Sequence, residues 1–526
     1  MRVTLRLAAP AIFVTSILLL PFLNKPFTID DPLFMREARH ALVDPAHPAD
    51  FEQVWNTGDR QKLSQYLLGG TLPAYVMAPV AALGGREWMA HLYQLLLLCG
   101  FLIASVSVAL RLGCDPRQAN TVCLLIAANP VTLAMAATCM PDVMAMTFGM
   151  AGMDRVLAFR ERGRWLAGVL GGLLLAAAVL CRVSTAPLLL VAGLMLMPAT
   201  RKRMAECLWP VALAALAAAV FVSLGRGANA NATGAFQALT SMQNVPRNLV
   251  AFLCFQALAG PILVYALLSR GRQFLATVAA VVALGIGLSW ITASAALLLY
   301  AVPAALGVCF LAATTGMVRD LRNPLPLIVW LGAGLIALPY VHMAAKYLLP
   351  GVPAAALLIV LHGARLRQQR FPLTVAILVA LGWISGALIV KGDATLATSQ
   401  RDAVNRLIAP RIKRGAKVWA GGQWAFLAYA EDAGAKALAN TPPLPEPGDY
   451  VVISRLDYYG KFDRLPFNRE LLYSQPDERC GVFVLNRRLR AGFYSIRFGY
   501  LPFAIGCAEV NAYDMYRVLP LAGVAP

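Results

Sequence analysis

Apolar residues gather in long unbroken runs over most of this chain, and short polar turns separate them. After a first run from about Leu7 to Leu23, others follow near 88–110, 119–138, 143–159, 166–181, 184–200, 207–224, 249–269, 273–291, 293–315, 325–342, 347–363 and 372–391. A bilayer-crossing helix takes about 20 apolar residues, so the pattern predicts about thirteen transmembrane helices. Residues 1–391 are therefore expected to form an α-helical, polytopic membrane domain. Arg2 and Arg6 precede the first run, and Leu20-Pro21-Phe22-Leu23 after it offers no small-residue cleavage site. That run reads as a retained span with its N-terminus inside. The mixed segment 24–87 reads as a first outer loop with amphipathic helices.

The pattern changes from about residue 392. Charged residues return together with turn sequences such as Thr441-Pro442-Pro443 and Glu446-Pro447-Gly448-Asp449. Short β-like runs at Lys417–Ala420, Tyr450–Ile453 and Gly481–Leu485 flank a helical Trp424–Ala435. Residues 392–526 are expected to be a small α/β domain, large enough to hold its own core. No repeat at a fixed period is evident, which argues against a transporter built from inverted repeats.

Composition agrees with the runs. The 526 residues are 59% hydrophobic and 14% charged, with a mean hydropathy of +0.64. Soluble chains are roughly 45–50% apolar and about 25% charged. The net charge of +19 would suggest nucleic acid in a soluble protein. Here its distribution gives another reason, because basic residues collect in loops that stay cytoplasmic. With the N-terminus inside, alternate turns should be basic. They carry Arg111 and Arg117; Arg160, Arg162 and Arg164; Arg201, Lys202 and Arg203; Arg270 and Arg272; Arg319 and Arg322; and Arg365, Arg367 and Arg370. The opposite turns are nearly free of Lys and Arg, apart from Arg182 and Lys346. This bias puts segment 24–87, the 225–248 loop and the C-terminal domain on the outer face of the cell (inner) membrane. The ten cysteines show no metal-like spacing. Cys99, Cys123, Cys181, Cys254 and Cys309 read as small core residues. Cys480 and Cys507 lie in the tail, and the sequence leaves open whether they are bridged.

Candidate chemistry begins in Thr28-Ile29-Asp30-Asp31-Pro32-Leu33-Phe34. Asp31-Pro32 reads as a helix start, with the aspartate capping and the proline at the first helical position. Phe34, Ala38 and Leu42 then share one face, so the helix is expected to lie along the membrane surface. Asp30 is not needed for the cap, and a spare carboxylate just above the bilayer is a candidate general base. Met140-Pro141-Asp142-Val143 places Asp142 on the same face, either capping the next span or binding a ligand or metal. Arg182 and Lys346 run against the positive-inside bias. Snorkelling to lipid phosphate is one reason, and holding a substrate phosphate is the other.

Taken together, these segments resemble the GT-C glycosyltransferases, and most closely the family-39-like branch. That branch includes protein O-mannosyltransferases and lipid A aminoarabinose transferases. Its first outer loop has an acidic pair followed by an aromatic, similar to Asp30, Asp31 and Phe34. Its Pro-Pro-Leu-Tyr segment looks like Leu72-Pro73-Ala74-Tyr75, with Thr71 where a lysine is common. Pro141-Asp142-Val143 and Leu180-Cys181-Arg182-Val183 are similar to two further elements, the second with arginine for lysine. Lys346-Tyr347-Leu348-Leu349-Pro350 matches a fifth directly. Gly422-Gln423-Trp424 and Tyr429 are similar to the outer domain of bacterial members.

The resemblance implies an inverting transfer of a sugar from a polyprenyl-phosphate donor to an acceptor hydroxyl at the outer face. Asp30 would be the base. Asp31, Tyr75, Asp142, Arg182, Lys346 and Tyr347 would bind substrate, with the cations on the lipid phosphate. No nucleotide is expected, and no Gly-rich phosphate loop is present. A divalent cation at Asp30, Asp31 and Asp142 stays open, as do the sugar and a lipid, glycan or protein acceptor. Two other classes compete: a non-catalytic membrane transporter or lipid flippase, and a degenerate glycosyltransferase acting as an assembly partner. Transporters place ionisable residues in mid-membrane, whereas the residues singled out here fall at span ends.

Overall fold

The computed structural model describes residues 2–54, 59–65, 70–197, 204–225, 240–291, 295–319, 321, 323–366, 370–458, 465 and 467–520. The basic turn Arg201–Arg203, Arg322, Arg367 and most of the 225–248 loop lie outside them.

Helices occupy the predicted runs, but they are unequal in length. Among the described residues, six helical stretches are long and apolar enough to cross a bilayer: Arg2–Phe22, Glu87–Arg111, Pro261–Gly287, Ala301–Val318, Ala345–Arg365 and Phe371–Lys413. The pair Pro116–Ala127 and Pro130–Ala136, bent by 63°, would make a seventh. Other expected spans are shorter apolar helices, such as Trp165–Cys181 and Leu325–Ala337. Local chemistry accounts for the breaks. Asn129 caps Pro130–Ala136 through Val131 N–H and Thr132 N–H, and Pro130 cannot donate to the preceding turn. The chain is an α-helical, multi-pass membrane protein that carries a sheet near its C-terminus.

Eight helices frame the site. They are α1 (Arg2–Leu19), α2 (Asp31–Val43), α3 (Leu72–Ala82), α4 (Glu87–Arg111), α5 (Pro116–Ala127), α6 (Pro130–Ala136), α7 (Asp142–Arg162) and α8 (Trp165–Cys181). Helix α7 starts at Asp142 and ends in Arg160 and Arg162, and α8 returns from Trp165 to Arg182. A 21-residue helix rises about 32 Å, the thickness of a hydrocarbon core. The basic turn around Arg160–Arg164 therefore lies at the far end of α7 from Asp142. Asp154 is the carboxylate inside this run, and Arg111 holds it at 2.6 Å.

One expectation about the first loop is corrected. Asp31 does not cap α2. The helix begins at Asp31, Pro32 is its second residue, and Asp30 stands at the cap position with no side-chain cap bond. The Asp31 carboxylate instead accepts from Thr28 N–H and Cys139 N–H. The apolar face of α2 packs on protein. Leu33, Phe34, Met35, Glu37, Ala38 and Ala41 are all buried, while Arg39, Leu42 and Val43 are exposed. The helix is sandwiched between α3 and the helix Trp424–Asp432, and Arg36 pairs with Glu431 at 2.5 Å.

Two short strands of the first loop, β1 (Glu52–Val54) and β2 (Arg60–Lys62), pair antiparallel. The C-terminal sheet has β3 (Val418–Gly421), β4 (Lys436–Ala437), β5 (Tyr450–Ser454), β6 (Asn468–Phe483) and β9 (Ala504–Leu519), in the order β4-β3-β5-β9-β6, and β7 (Leu485–Asn486) pairs with β8 (Ala491–Gly492) beside it. Strand β3 runs parallel to β4 and β5, while β9 is antiparallel to β5 and β6. The β6–β9 ladder pairs Cys480 with Cys507, and a disulfide joins them. The last apolar helix does not stop at residue 391. It runs as Phe371–Ala403 and packs against β6 and β9, so one rigid element links membrane domain and sheet.

Candidate active site

Five of the seven residues singled out in the sequence meet at one place. Asp30 comes from the start of α2, Asp142 from the start of α7 and Arg182 from the end of α8. Lys346 and Tyr347 come from the 3-10 turn Ala345–Gly351. Lys346 Nζ lies 3.5 Å from Asp30 Oδ2, and its ammonium also contacts Met140 Sδ at 3.4 Å. Arg182 Nε lies 2.9 Å from Asp142 Oδ1, and its guanidinium sits 5.3 Å above the Tyr347 ring. Tyr340 packs edge-on against Tyr347 at 6.2 Å. The pairs are not equally exposed. Asp30 is 25% exposed, whereas the Asp142 side chain is 2% exposed. Asp142 Oδ2 is buried with no hydrogen-bond partner. A buried acceptor left without a donor costs about 1–3 kcal/mol, which a bound hydroxyl would recover.

The backbone around Asp30 is strained. Ile29 has a φ of 46°, which a β-branched residue rarely adopts. Such conformations cost about 1–3 kcal/mol and persist only where neighbours hold them. The neighbours are a buried network. Lys25 Nζ binds Asp393 Oδ2 at 2.5 Å, and Thr28 Oγ1 and the Tyr494 hydroxyl donate to Asp393 Oδ1 at 3.0 and 2.9 Å. Phe27 N–H donates to the Tyr429 hydroxyl, which donates to Glu87. The first loop is thus tied to the last membrane helix, to the loop after β8 (Ala491–Gly492) and to the helix Trp424–Asp432.

The remaining two residues lie apart. Asp31 is fully buried and bonded to Thr28 and Cys139, not to Lys346 or Arg182. Burial raises its carboxyl pKa to about 7, against the opposing pull of Lys25 and its N–H donors. The Tyr75 hydroxyl donates to the Pro45 carbonyl at 2.6 Å. The segment before Tyr75 does reach the site's edge. A Cβ on Gly70 would sit 2.3 Å from the Leu180 carbonyl, so only glycine lets this loop pass beside the end of α8.

Sequence reasoning missed Lys25, Asp393, Tyr340, His342 and Tyr494. Lys25 carried the signal that marked Lys346, a cation in a segment where the charge bias leads one to expect few. His342 packs on Tyr340 at 5.1 Å, and burial lowers its pKa to about 3, helped by Arg497 and Lys346. It is therefore neutral at physiological pH and adds no third cation. The two tyrosines carry no sequence pattern that separates them from lipid-facing aromatics.

No family model matches this chain, and no curated protein matches it. Among solved structures, it is similar to ArnT from Cupriavidus metallidurans at 14% identity, with a TM-score of 0.47. That match covers 85% of this chain and 92% of ArnT. It is similar to the Archaeoglobus fulgidus oligosaccharyltransferase at 11% identity and a TM-score of 0.47, covering 83% of this chain and 64% of the other. For the arabinofuranosyltransferase AftD from Mycobacteria the identity is 14% and the TM-score 0.44. There the match covers 98% of this chain and 40% of AftD.

Proposed function

We propose that this chain is a membrane glycosyltransferase of GT-C type that moves a sugar from a polyprenyl-phosphate donor to an acceptor hydroxyl. The observation that carries this reading is the pairing of Asp30 with Lys346. A partly exposed carboxylate free of helix capping stands beside a buried ammonium, with a second acid–base pair, Asp142–Arg182, next to it. Asp30 takes the proton from the acceptor hydroxyl. The acceptor oxygen then forms a bond to the anomeric carbon as the bond to the phosphate oxygen breaks. In-line attack inverts that carbon, and polyprenyl phosphate leaves with the bonding electrons. Lys346 and Arg182 offset the charge that develops on it. Asp142 Oδ2 accepts from a sugar hydroxyl, and Tyr347 holds Arg182 in place from its ring face. Asp31 and Tyr75 act one layer out, fixing the loop and its neighbour α3.

The reading supposes that the site faces the outer side, where lipid-linked rather than nucleotide sugars are the donors. Mass analysis of envelope lipids and glycans from a strain lacking this gene tests it. One sugar substituent should disappear, and the wild-type gene should restore it while Asp30→Asn should not. Full restoration by Asp30→Asn would leave a transport or assembly role instead.

A further inference from the structure

Behind the Asp30–Lys346 pair lies a second cluster that the transfer chemistry does not use. A carboxylate oxygen of Asp31, a ring nitrogen of His91 and the Cys139 thiol all lie within 4.8 Å of one another. They come from the start of α2, the first turns of α4 and the turn between α6 and α7. All three are buried, His91 being 3% exposed and the other two 0%.

The histidine carries the independent sign of a ligand. Its Nδ1 lies 2.9 Å from the Leu23 carbonyl, which can only accept, so Nδ1 holds the proton. Nε2 is then the lone-pair nitrogen, and it is buried with no hydrogen-bond partner. Metal-bound histidines are held in this way, one ring N–H on a carbonyl and the other nitrogen on the ion. Gln94, one turn further along α4, adds a second orphan. Its Nε2 donates to the Met140 carbonyl at 3.3 Å, and its buried Oε1 has no partner. Charge points the same way. An Asp31 carboxylate and a Cys139 thiolate together balance a divalent cation. The nearest cation, Lys25, is already matched by Asp393 at 2.5 Å. One sulfur, one nitrogen and one oxygen suit zinc better than magnesium or calcium, which prefer oxygen alone.

We propose that Asp31, His91 and Cys139 form a buried structural zinc site, separate from the Asp30 and Asp142 carboxylates. All three side chains are buried, so the ion clamps and does not activate substrate. It joins α2 and α4 to the turn that contains Met140, which touches Lys346, and that leads into Asp142. Both site carboxylates are then anchored by the one ion.

Metal analysis of the purified, detergent-solubilised chain, kept reduced and dialysed against zinc, tests this without any sugar assay. About one zinc per chain is expected, falling at least tenfold in Cys139→Ala and in His91→Ala and unchanged in Cys123→Ala. Substituting cobalt in the wild-type chain should give a thiolate-to-cobalt charge-transfer band. That reading needs no variant and stands if Cys139→Ala fails to fold. A wild-type chain that retains no metal, a Cys139→Ala chain that retains as much as wild type, or a cobalt spectrum without the thiolate band would each overturn the site.

Discussion

Replacing Asp30 by asparagine is expected to slow glycosyl transfer about 10²–10⁴-fold, the range that general-base catalysis contributes. The substitution keeps shape and removes only the ability to take a proton. Asp30 makes no side-chain cap bond to α2, so its loss should not unravel the helix. The neighbouring aspartate predicts a different outcome. Asp31 is buried and holds two backbone N–H groups, so Asp31→Asn should lower the melting temperature as well as the rate. The contrast between the two variants is the useful reading. A folded Asp30→Asn protein that transfers sugar within a few-fold of wild type would remove Asp30 from the role of base.

Lys346→Ala is expected to cost about 10²–10³ in kcat/KM for the lipid-phosphate donor, the size of effect seen when one donor to a developing anion is lost. The loss should fall on the donor, with the KM for the acceptor nearly unchanged. Lys346 is buried beside Met140, so the alanine also leaves space that weakens packing. Lys346→Met fills that space without the charge and separates the two causes. If the ammonium serves the leaving phosphate, the methionine variant should be as slow as the alanine one. Equal increases in KM for donor and acceptor in both variants would make Lys346 a packing residue or membrane anchor.

Much of this site is legible in the chain because its residues break local rules. Lys346 and Arg182 are cations in turns that should lack them. Asp30 is an acid beside an acid that already has work to do. Four of the five short motifs supply Asp30, Asp142, Arg182, Lys346 and Tyr347, and the structure brings these residues together. The job given to Asp31 was misread because Asp-Pro reads locally as a cap, while the tertiary fold offers it the Cys139 N–H instead. That donor is 108 residues away and leaves no local trace. Lys25 and Asp393 are separated by 368 residues, and each alone reads as a charge flanking a span.

The sheet was harder to see for another reason. Strands β6 and β9 are 16 residues each, yet of these two the sequence pattern marks only the end of β6, at Gly481–Leu485. Most of β6 is exposed or half-buried, so it lacks the apolar alternation that marks a strand with one face in a core. Pro476 within it cannot donate to the ladder, and proline is uncommon inside a strand. The ladder to β9 and the Cys480–Cys507 bridge hold the strand in place. His91 and Cys139 hid in the opposite way. His91 sits in an apolar run and Cys139 just past the end of one, and neither stands out until α2, α4 and the turn before α7 are brought together.

The most direct test of the central claim is the anomeric configuration of the product. Purified chain, reconstituted with a polyprenyl-phosphate sugar of known configuration and an acceptor extract, should release polyprenyl phosphate in step with glycosylated acceptor. NMR of that product should show the inverted configuration at the anomeric carbon. A retained configuration, or a donor left unconsumed by the active-folded protein, would contradict single displacement assisted by Asp30.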